Sequence, residues 1–127
     1  MKLPRRRFLH LAAGAAALPA ASRIARADTY PSRPVHLIAG YPAGGAVDLI
    51  ARLIGGWLSE RLGQSFVVEN HAGAGSNLAT EEVVRALPDG YTLLECASSN
   101  AWNVSLYDNL KFDFIRDIAP VASIYQG

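Results

Sequence analysis

Two short segments carry the residues with chemistry to offer. Gly40-Tyr-Pro-Ala-Gly-Gly-Ala-Val-Asp48 and His71-Ala-Gly-Ala-Gly-Ser-Asn77 are both glycine-rich, and each stands between an apolar, β-branched run and a helical pattern. A turn of this kind gathers backbone N–H groups at a helix N-terminus, where donors lack intrahelical partners and the positive end of the macrodipole lies. Anion binding without a cationic side chain is the chemistry this serves. Ala97-Ser98-Ser99-Asn100 adds hydroxyls and an amide further along, able to cap the next helix or touch a ligand. Asp48, in the first turn of its helix, reads as a complement to the dipole. His71, beside the glycines, is a further ligand candidate, whereas His36 falls inside a strand pattern and reads as a packed or edge histidine. One such loop is also what any tight strand-to-helix turn requires; two in register shift the reading toward a ligand.

The elements that must hold these loops follow from hydrophobic periodicity. Residues 35–39 read as a buried strand halted by Gly40 and Pro42. Residues 47–62 repeat at helical spacing, with Val47, Ile50, Ala51, Ile54 and Leu58 in one row and Leu49, Leu53 and Trp57 in an adjoining one, up to the natural stop at Gly63. That wide apolar arc predicts a helix packed on a sheet and touching another element, and Gly55-Gly56 in its middle predicts close packing. A strand over 66–69 and a helix over about 78–86 form the second unit, closed by the Leu87-Pro88-Asp89-Gly90 turn. Residues 91–96 read as a third strand, 101–107 as a short helix, 108–117 as irregular, and 118–125 as strand-like. Trp57 and Trp102 read as core or interface aromatics, and Glu81-Glu82 as a solvated helix face. Strand, loop and helix repeated in this way predict an α/β fold with a mostly parallel sheet flanked by helices, its loops collected at the strands' carboxyl edge.

The first 27 residues read as an export signal and not as part of the fold. Arg5-Arg6-Arg7-Phe8-Leu9 precedes an alanine-rich apolar stretch and Ala25-Arg26-Ala27, a twin-arginine-like signal with cleavage expected after Ala27; general secretion is the competing route. The apolar run is about half of the roughly 20 residues a bilayer needs, so no membrane insertion of the mature chain is expected. The segment holds six of the twelve basic residues and no acid, which leaves six basic against eleven acidic residues over 28–127, a net charge of −5. That balance removes the electrostatic footing for nucleic-acid binding. The hundred residues that follow suffice for one small domain. Cys96 is the single cysteine, and no His or Cys cluster has zinc-like spacing, so neither a metal nor another cofactor is expected. At a strand end Cys96 reads as a small buried apolar residue.

From Tyr30 to about Ile124 the chain resembles the periplasmic solute receptors of tripartite tricarboxylate transporters, the Bug-type receptors. The resemblance rests on Tyr30-Pro31-Ser32-Arg33-Pro34-Val35, on Tyr41-Pro42-Ala43-Gly44-Gly45-Ala46-Val47-Asp48, on Val68-Glu69-Asn70, on Gly73-Ala74-Gly75, and on Pro88-Asp89-Gly90-Tyr91-Thr92-Leu93-Leu94. Asn103, Ser105-Leu106-Tyr107 and Asp117-Ile118-Ala119-Pro120-Val121 continue it in order. It implies a two-lobed, type II periplasmic-binding-protein fold holding a small carboxylated solute between its lobes, with membrane transporter subunits as partners and no enzymatic step. On the positions that match the family's motif, the resemblance implies main-chain donors to the solute from Ala43, Gly44, Gly45 and Ala46 at the first helix and from Gly75, Ser76 and Asn77 at the second, with Ser98, Ser99 and Asn103 as further contacts. On that pattern, residues 28–127 would be a partial first lobe, truncated, and the location the periplasm. His71-Ala72 stands where the family often has a basic residue and proline.

Two other classes compete. The chain could be a non-functional remnant of such a receptor. Alternatively, Gly73-Ala-Gly75 after a strand, with Glu95 twenty residues on, echoes a dinucleotide-binding enzyme, although Leu78 occupies the position where a small residue must let helix and strand meet. No Ser-His-Asp or paired-carboxylate arrangement supports a hydrolase.

Overall fold

The computed structural model describes residues 29–124; the segment expected to be an export signal and Tyr125 lie outside them. In chain order the elements are β1 (Val35–Ala39), α1 (Ala46–Leu62), β2 (Phe66–Asn70), a 3-10 turn (Ala74–Ser76), α2 (Asn77–Arg85), β3 (Thr92–Glu95), α3 (Ser98–Leu106) and α4 (Phe114–Asp117). The three strands form one parallel sheet in the order β2-β1-β3. The α/β reading and the parallel sheet flanked by helices therefore hold.

The sheet is organised around β1, the most apolar strand, which is covered on both faces as the centre of a parallel sheet must be. Val35 and Ala39 are fully buried, and Leu37 and Ile38 nearly so. Register places Val35, Leu37 and Ala39 level with Phe66, Val68 and Asn70 of β2, so these side chains share the face on which α1 packs. His36 and Ile38 point to the opposite face, where α2 packs against β3 and β1 with Ala79 and Thr80 buried. Gly55 meets the prediction of close packing: a Cβ there would sit 3.5 Å from the Phe66 carbonyl oxygen and from a Val68 methyl. Gly56, its neighbour, faces open space.

Local chemistry ends the elements where it should. Gly63 caps α1 in the left-handed region (φ 71°), its N–H donating to the Ser59 carbonyl at 3.0 Å. Ser59 Oγ donates to the Gly55 carbonyl (2.6 Å) and accepts the Phe66 N–H (2.8 Å), tying the end of α1 to the start of β2. At the same edge of the sheet, where β1 and β3 begin, the lead-in is pinned to the Pro-Asp-Gly turn. Tyr30 Oη donates to the Gly90 carbonyl (2.7 Å), and Arg33 pairs with Asp89 (2.9 Å) while its guanidinium lies 4.0 Å from the Tyr91 ring centre.

Four expectations are corrected. Residues 118–124 form no strand, because among the described residues β3 is bonded on one side only and a strand needs a partner ladder. The stretch 108–117 is not wholly irregular: Asp113 accepts the N–H groups of Ile115 and Arg116 and starts α4. α3 begins at Ser98, three residues earlier than its apolar pattern suggests. Cys96 is exposed, because β3 stops at Glu95 and the residue falls outside the strand's alternation; crowding and the adjacent Glu95 carboxylate push its thiol pKa up to about 11.

The second apolar row of α1 also remains outside the core, with Leu49, Leu53 and Trp57 at 62%, 75% and 53% exposure. Trp102 is likewise exposed, at 64%. Among the described residues no helix is long and apolar enough to cross a membrane.

Candidate functional site

Ala39 is level with Asn70 on one side and with Glu95 on the other, so the exits of all three strands meet at one edge. The first loop leaves β1 there, the second leaves β2, and α3 begins just after β3. Gly40 is the point of contact between the loops. A Cβ on it would lie 1.8 Å from Ser76 Oγ and 2.8 Å from Ser76 Cα, so only glycine lets the second loop close over the first strand's end.

The first loop is knotted by Asp48, which is 3% exposed. Its carboxylate accepts the Gly44 N–H (2.8 Å), the Arg52 Nε–H (2.9 Å) and the Asn70 amide (3.0 Å). Arg52 above all, then the Gly44 amide and Asn70, hold its pKa down to about 2. Asn70 also donates to the Tyr41 carbonyl (3.1 Å), so β2 holds the first loop directly. Asp48 thus does more than complement a dipole: it sets the loop's shape. The cost is that two of the four predicted donors are committed internally, Gly44 to Asp48 and Gly45 to the Pro42 carbonyl at 3.4 Å. The N–H groups of Ala43 and Ala46, both on exposed residues, have no acceptor among the described residues.

The second loop runs through three consecutive left-handed residues, Ala74 (φ 48°), Gly75 (φ 64°) and Ser76 (φ 76°). For the two that are not glycine this costs about 1–2 kcal/mol each. Main-chain bonds fold the turn on itself: Ser76 N–H donates to Gly73 O at 3.0 Å, and Asn77 N–H to Ala74 O. Of the three predicted main-chain donors in this loop, only Gly75 stays open, on an exposed residue. Ser76 and Asn77 contribute side chains instead.

Those side chains are held from α3. Asn103, 4% exposed, donates through Nδ2 to the Gly75 carbonyl (2.7 Å) and to Asn77 Oδ1 (2.8 Å). Asn100, 2% exposed, accepts the Ala97 N–H (2.9 Å) and donates to Ser76 Oγ (3.2 Å) and Thr80 Oγ1 (3.0 Å), while Thr80 donates to the Ser76 carbonyl (2.9 Å). At the end of these bonds Asn77 Nδ2 is buried with no acceptor. Orphaned buried donors are rare and costly, about 1–3 kcal/mol, and they mark places where an acceptor is missing. Asn77 is 7% exposed, so an acceptor from outside reaches this amide only with a shift of the turn that covers it.

The remaining predicted residues sort themselves by contact. Ser99 bonds Tyr41 and so links α3 to the first loop; Ser98 is exposed at the start of α3. Asn103 lies behind the second loop and not at its surface. His71 is engaged by carboxylates, bonded through Nδ1 to Glu82 and 3.6 Å through Nε2 from Glu69, whose other oxygen bonds His36. Glu95, 5% exposed at the end of β3, has no cationic partner among the described residues, and burial raises its carboxyl pKa. No group of three His, Cys, Asp or Glu suited to a metal occurs among the described residues. Thr80 was not singled out from sequence, and Asn70 entered only as part of a family-like motif, not as the residue that holds the first loop. Asn100 alone carried a local signal, as the amide three residues after Ala97 that closes half of a capping arrangement.

Comparison with known proteins agrees with this architecture. The model of the tripartite tricarboxylate transporter family receptor matches residues 50–127. The protein BugT of Bordetella pertussis is 40% identical over 100 residues, covering 77% of this chain and 31% of BugT. Among solved structures, MatC from Rhodopseudomonas palustris with bound malate is 34% identical with a TM-score of 0.63, over 69% of this chain and 30% of that one. An R. palustris protein solved with adipate is 43% identical with a TM-score of 0.51, over 51% of this chain and 22% of that one. The chain thus spans about a third of the length of the curated relatives it matches. Its strands, its two glycine loops and these matches together establish that the chain belongs to the tripartite tricarboxylate transporter receptor family, the Bug-type solute receptors.

Proposed function

We propose that the chain supplies one wall of a binding cleft for a small carboxylate, in an exported periplasmic receptor that hands its solute to membrane transporter subunits. The observation that carries this is the donor character of the cleft edge. Open N–H groups at Ala43, Ala46 and Gly75 and the orphaned amide of Asn77 converge on the carboxyl ends of adjacent strands, with no lysine or arginine among them. Donors without a fixed cation suit a carboxylate, which brings up to four lone pairs and a charge that the two helix N-termini favour. The malate and adipate held by two relatives are of this class. Export through the twin-arginine-like signal, cleavage after Ala27, and the contacts of Ala43, Gly44, Gly45, Ala46, Gly75, Ser76, Asn77, Ser98, Ser99 and Asn103 with the solute belong to the same reading. It involves no catalytic step and no cofactor.

The test is a titration of the full chain with malate and with adipate, followed by backbone amide resonances. Residues 43–48 and 73–77 should shift together, with affinity no better than millimolar, because one wall leaves much of the ligand in water. Shifts confined to other surfaces, or an equal response to the corresponding diamide, would sink the proposal.

A further inference from the structure

The anion-binding reading counts Asn103 among the solute contacts but gives neither asparagine of α3 a part in shaping the second loop. We propose that Asn100 and Asn103 are positioning residues that set the hydrogen-bond polarity of the second loop, leaving the buried Ser76 and Asn77 with unspent donors for a ligand's acceptor. This rests on the carboxylate reading of the site, and it adds what makes the site accept an anion and refuse a ligand that brings a donor.

The logic starts from main-chain groups whose polarity cannot change. The Gly75 carbonyl only accepts, so the Asn103 atom 2.7 Å from it is the amide nitrogen. That nitrogen also lies 2.8 Å from the Asn77 side chain, so the Asn77 atom facing it is the oxygen, and the Asn77 nitrogen is turned away with both its hydrogens unused. A flip of Asn77 would set two N–H donors against each other. The second relay begins at the Ala97 N–H, which only donates, and so fixes Asn100 Oδ1. Both hydrogens of Asn100 Nδ2 are then spent on Ser76 Oγ and Thr80 Oγ1. Thr80 spends its own proton on the Ser76 carbonyl, so Ser76 Oγ is an acceptor inward and its proton has no acceptor among the described residues. Both relays end in an unspent donor on adjacent residues at the start of α2, which is nine residues long and adds its own positive terminus.

Isosteric exchange reverses the side-chain arm of each relay at nearly constant volume, while in Asn103→Asp a carboxylate oxygen also meets the Gly75 carbonyl, acceptor against acceptor, and loosens the turn there. In Asn103→Asp the carboxylate accepts where the amide donated, so Asn77 turns its nitrogen inward and presents its oxygen to the ligand. In Asn100→Asp the Ala97 N–H bond survives, and the Ser76 proton is drawn inward.

The test is NMR on the full chain, recording trans-hydrogen-bond couplings from the side-chain nitrogens, with acetate and acetamide as probes. In the unchanged chain, Asn103 Nδ2 should couple to the Gly75 carbonyl and to Asn77 Cγ, and Asn77 Nδ2 should show no coupling across a hydrogen bond. In Asn103→Asp, Asn77 Nδ2 should couple to Asp Cγ. Acetate should shift the Asn77 side-chain resonances at least tenfold more tightly than acetamide, and each exchange should cut that preference at least tenfold; the milder Asn100→Asp keeps the test open should Asn103→Asp fail to fold. Coupling from Asn77 Nδ2 to Asn103 Cγ in the unchanged chain would overturn the proposal, as would an unaltered acetate preference in both variants. Correct couplings with no acetate response at any concentration would uphold the relay and overturn the carboxylate reading alone.

Discussion

Asn77 and Asn103 share one hydrogen bond, yet removing them should have very different costs. In Asn103→Ala two bonds of 2.7 and 2.8 Å disappear, and the buried Asn77 carboxamide is left without a partner at either end. Each lost bond is worth about 1 kcal/mol net, and a newly orphaned buried oxygen adds about 1–3 kcal/mol, so the total comes to about 3–5 kcal/mol. In Asn77→Ala the same shared bond is lost, but an amide that was already unsatisfied goes with it and a better helix former takes its place. The two effects offset, and the cost should stay within about 1 kcal/mol. Urea unfolding of the full chain, followed by far-ultraviolet circular dichroism, measures both through the shift in midpoint at constant slope. A gap of this size is a large part of the 5–15 kcal/mol that holds a typical domain together. Equal losses for the two variants would refute the reasoning, since they would mean that the Asn77 nitrogen has an acceptor after all.

Further outcomes follow from the same contacts. Gly40→Ala, whose Cβ would fall 1.8 Å from Ser76 Oγ, should cost more than about 3 kcal/mol and unseat the second loop, whereas Gly56→Ala, in a helix interior facing open space, should stabilise by about 1 kcal/mol in the same urea titration. Asp48 has its pKa lowered from 3.8 to about 2, so its contribution is complete above the unfolded value and vanishes as pH falls through about 2; Asp48→Asn should flatten the stability curve between pH 4 and 2 in acid titration. Glu95 is shifted the other way by burial, so its ionisation weakens the fold as pH rises through its raised pKa; Glu95→Gln should melt at a higher temperature at neutral pH, and the difference should shrink in acid.

Much of the architecture was legible because local rules and tertiary demands agree. The apolar run at Val35–Ala39 lies at the sheet's centre, Gly63 caps α1 in the left-handed region, and the two glycine loops leave neighbouring strands at the same edge. Reading failed where an outcome depended on distant partners. Residues 118–124 have a strand-like composition, but a ladder forms only where the chain is brought alongside a sheet edge, and the short stretch does not record whether the fold will bring it there. Leu49, Leu53 and Trp57 have core chemistry yet face outward, because α1 turns its other row, with Ala51 and Gly55, to the sheet.

By itself the sequence determined the class of fold, the two anion-suited loops and the acidic balance of residues 28–127, since each rests on composition or on spacing within a few residues; the family was legible through the resemblance of its short motifs. Tertiary structure alone decided which donors remain open. Whether an N–H faces a ligand or is spent inside depends on Asp48 reaching back to Gly44, and on Asn100 and Asn103 reaching 24 and 28 residues back to Ser76 and Gly75. Hydrogen bonding is saturable and directional, so the donors left to a ligand are those that the rest of the fold has not used.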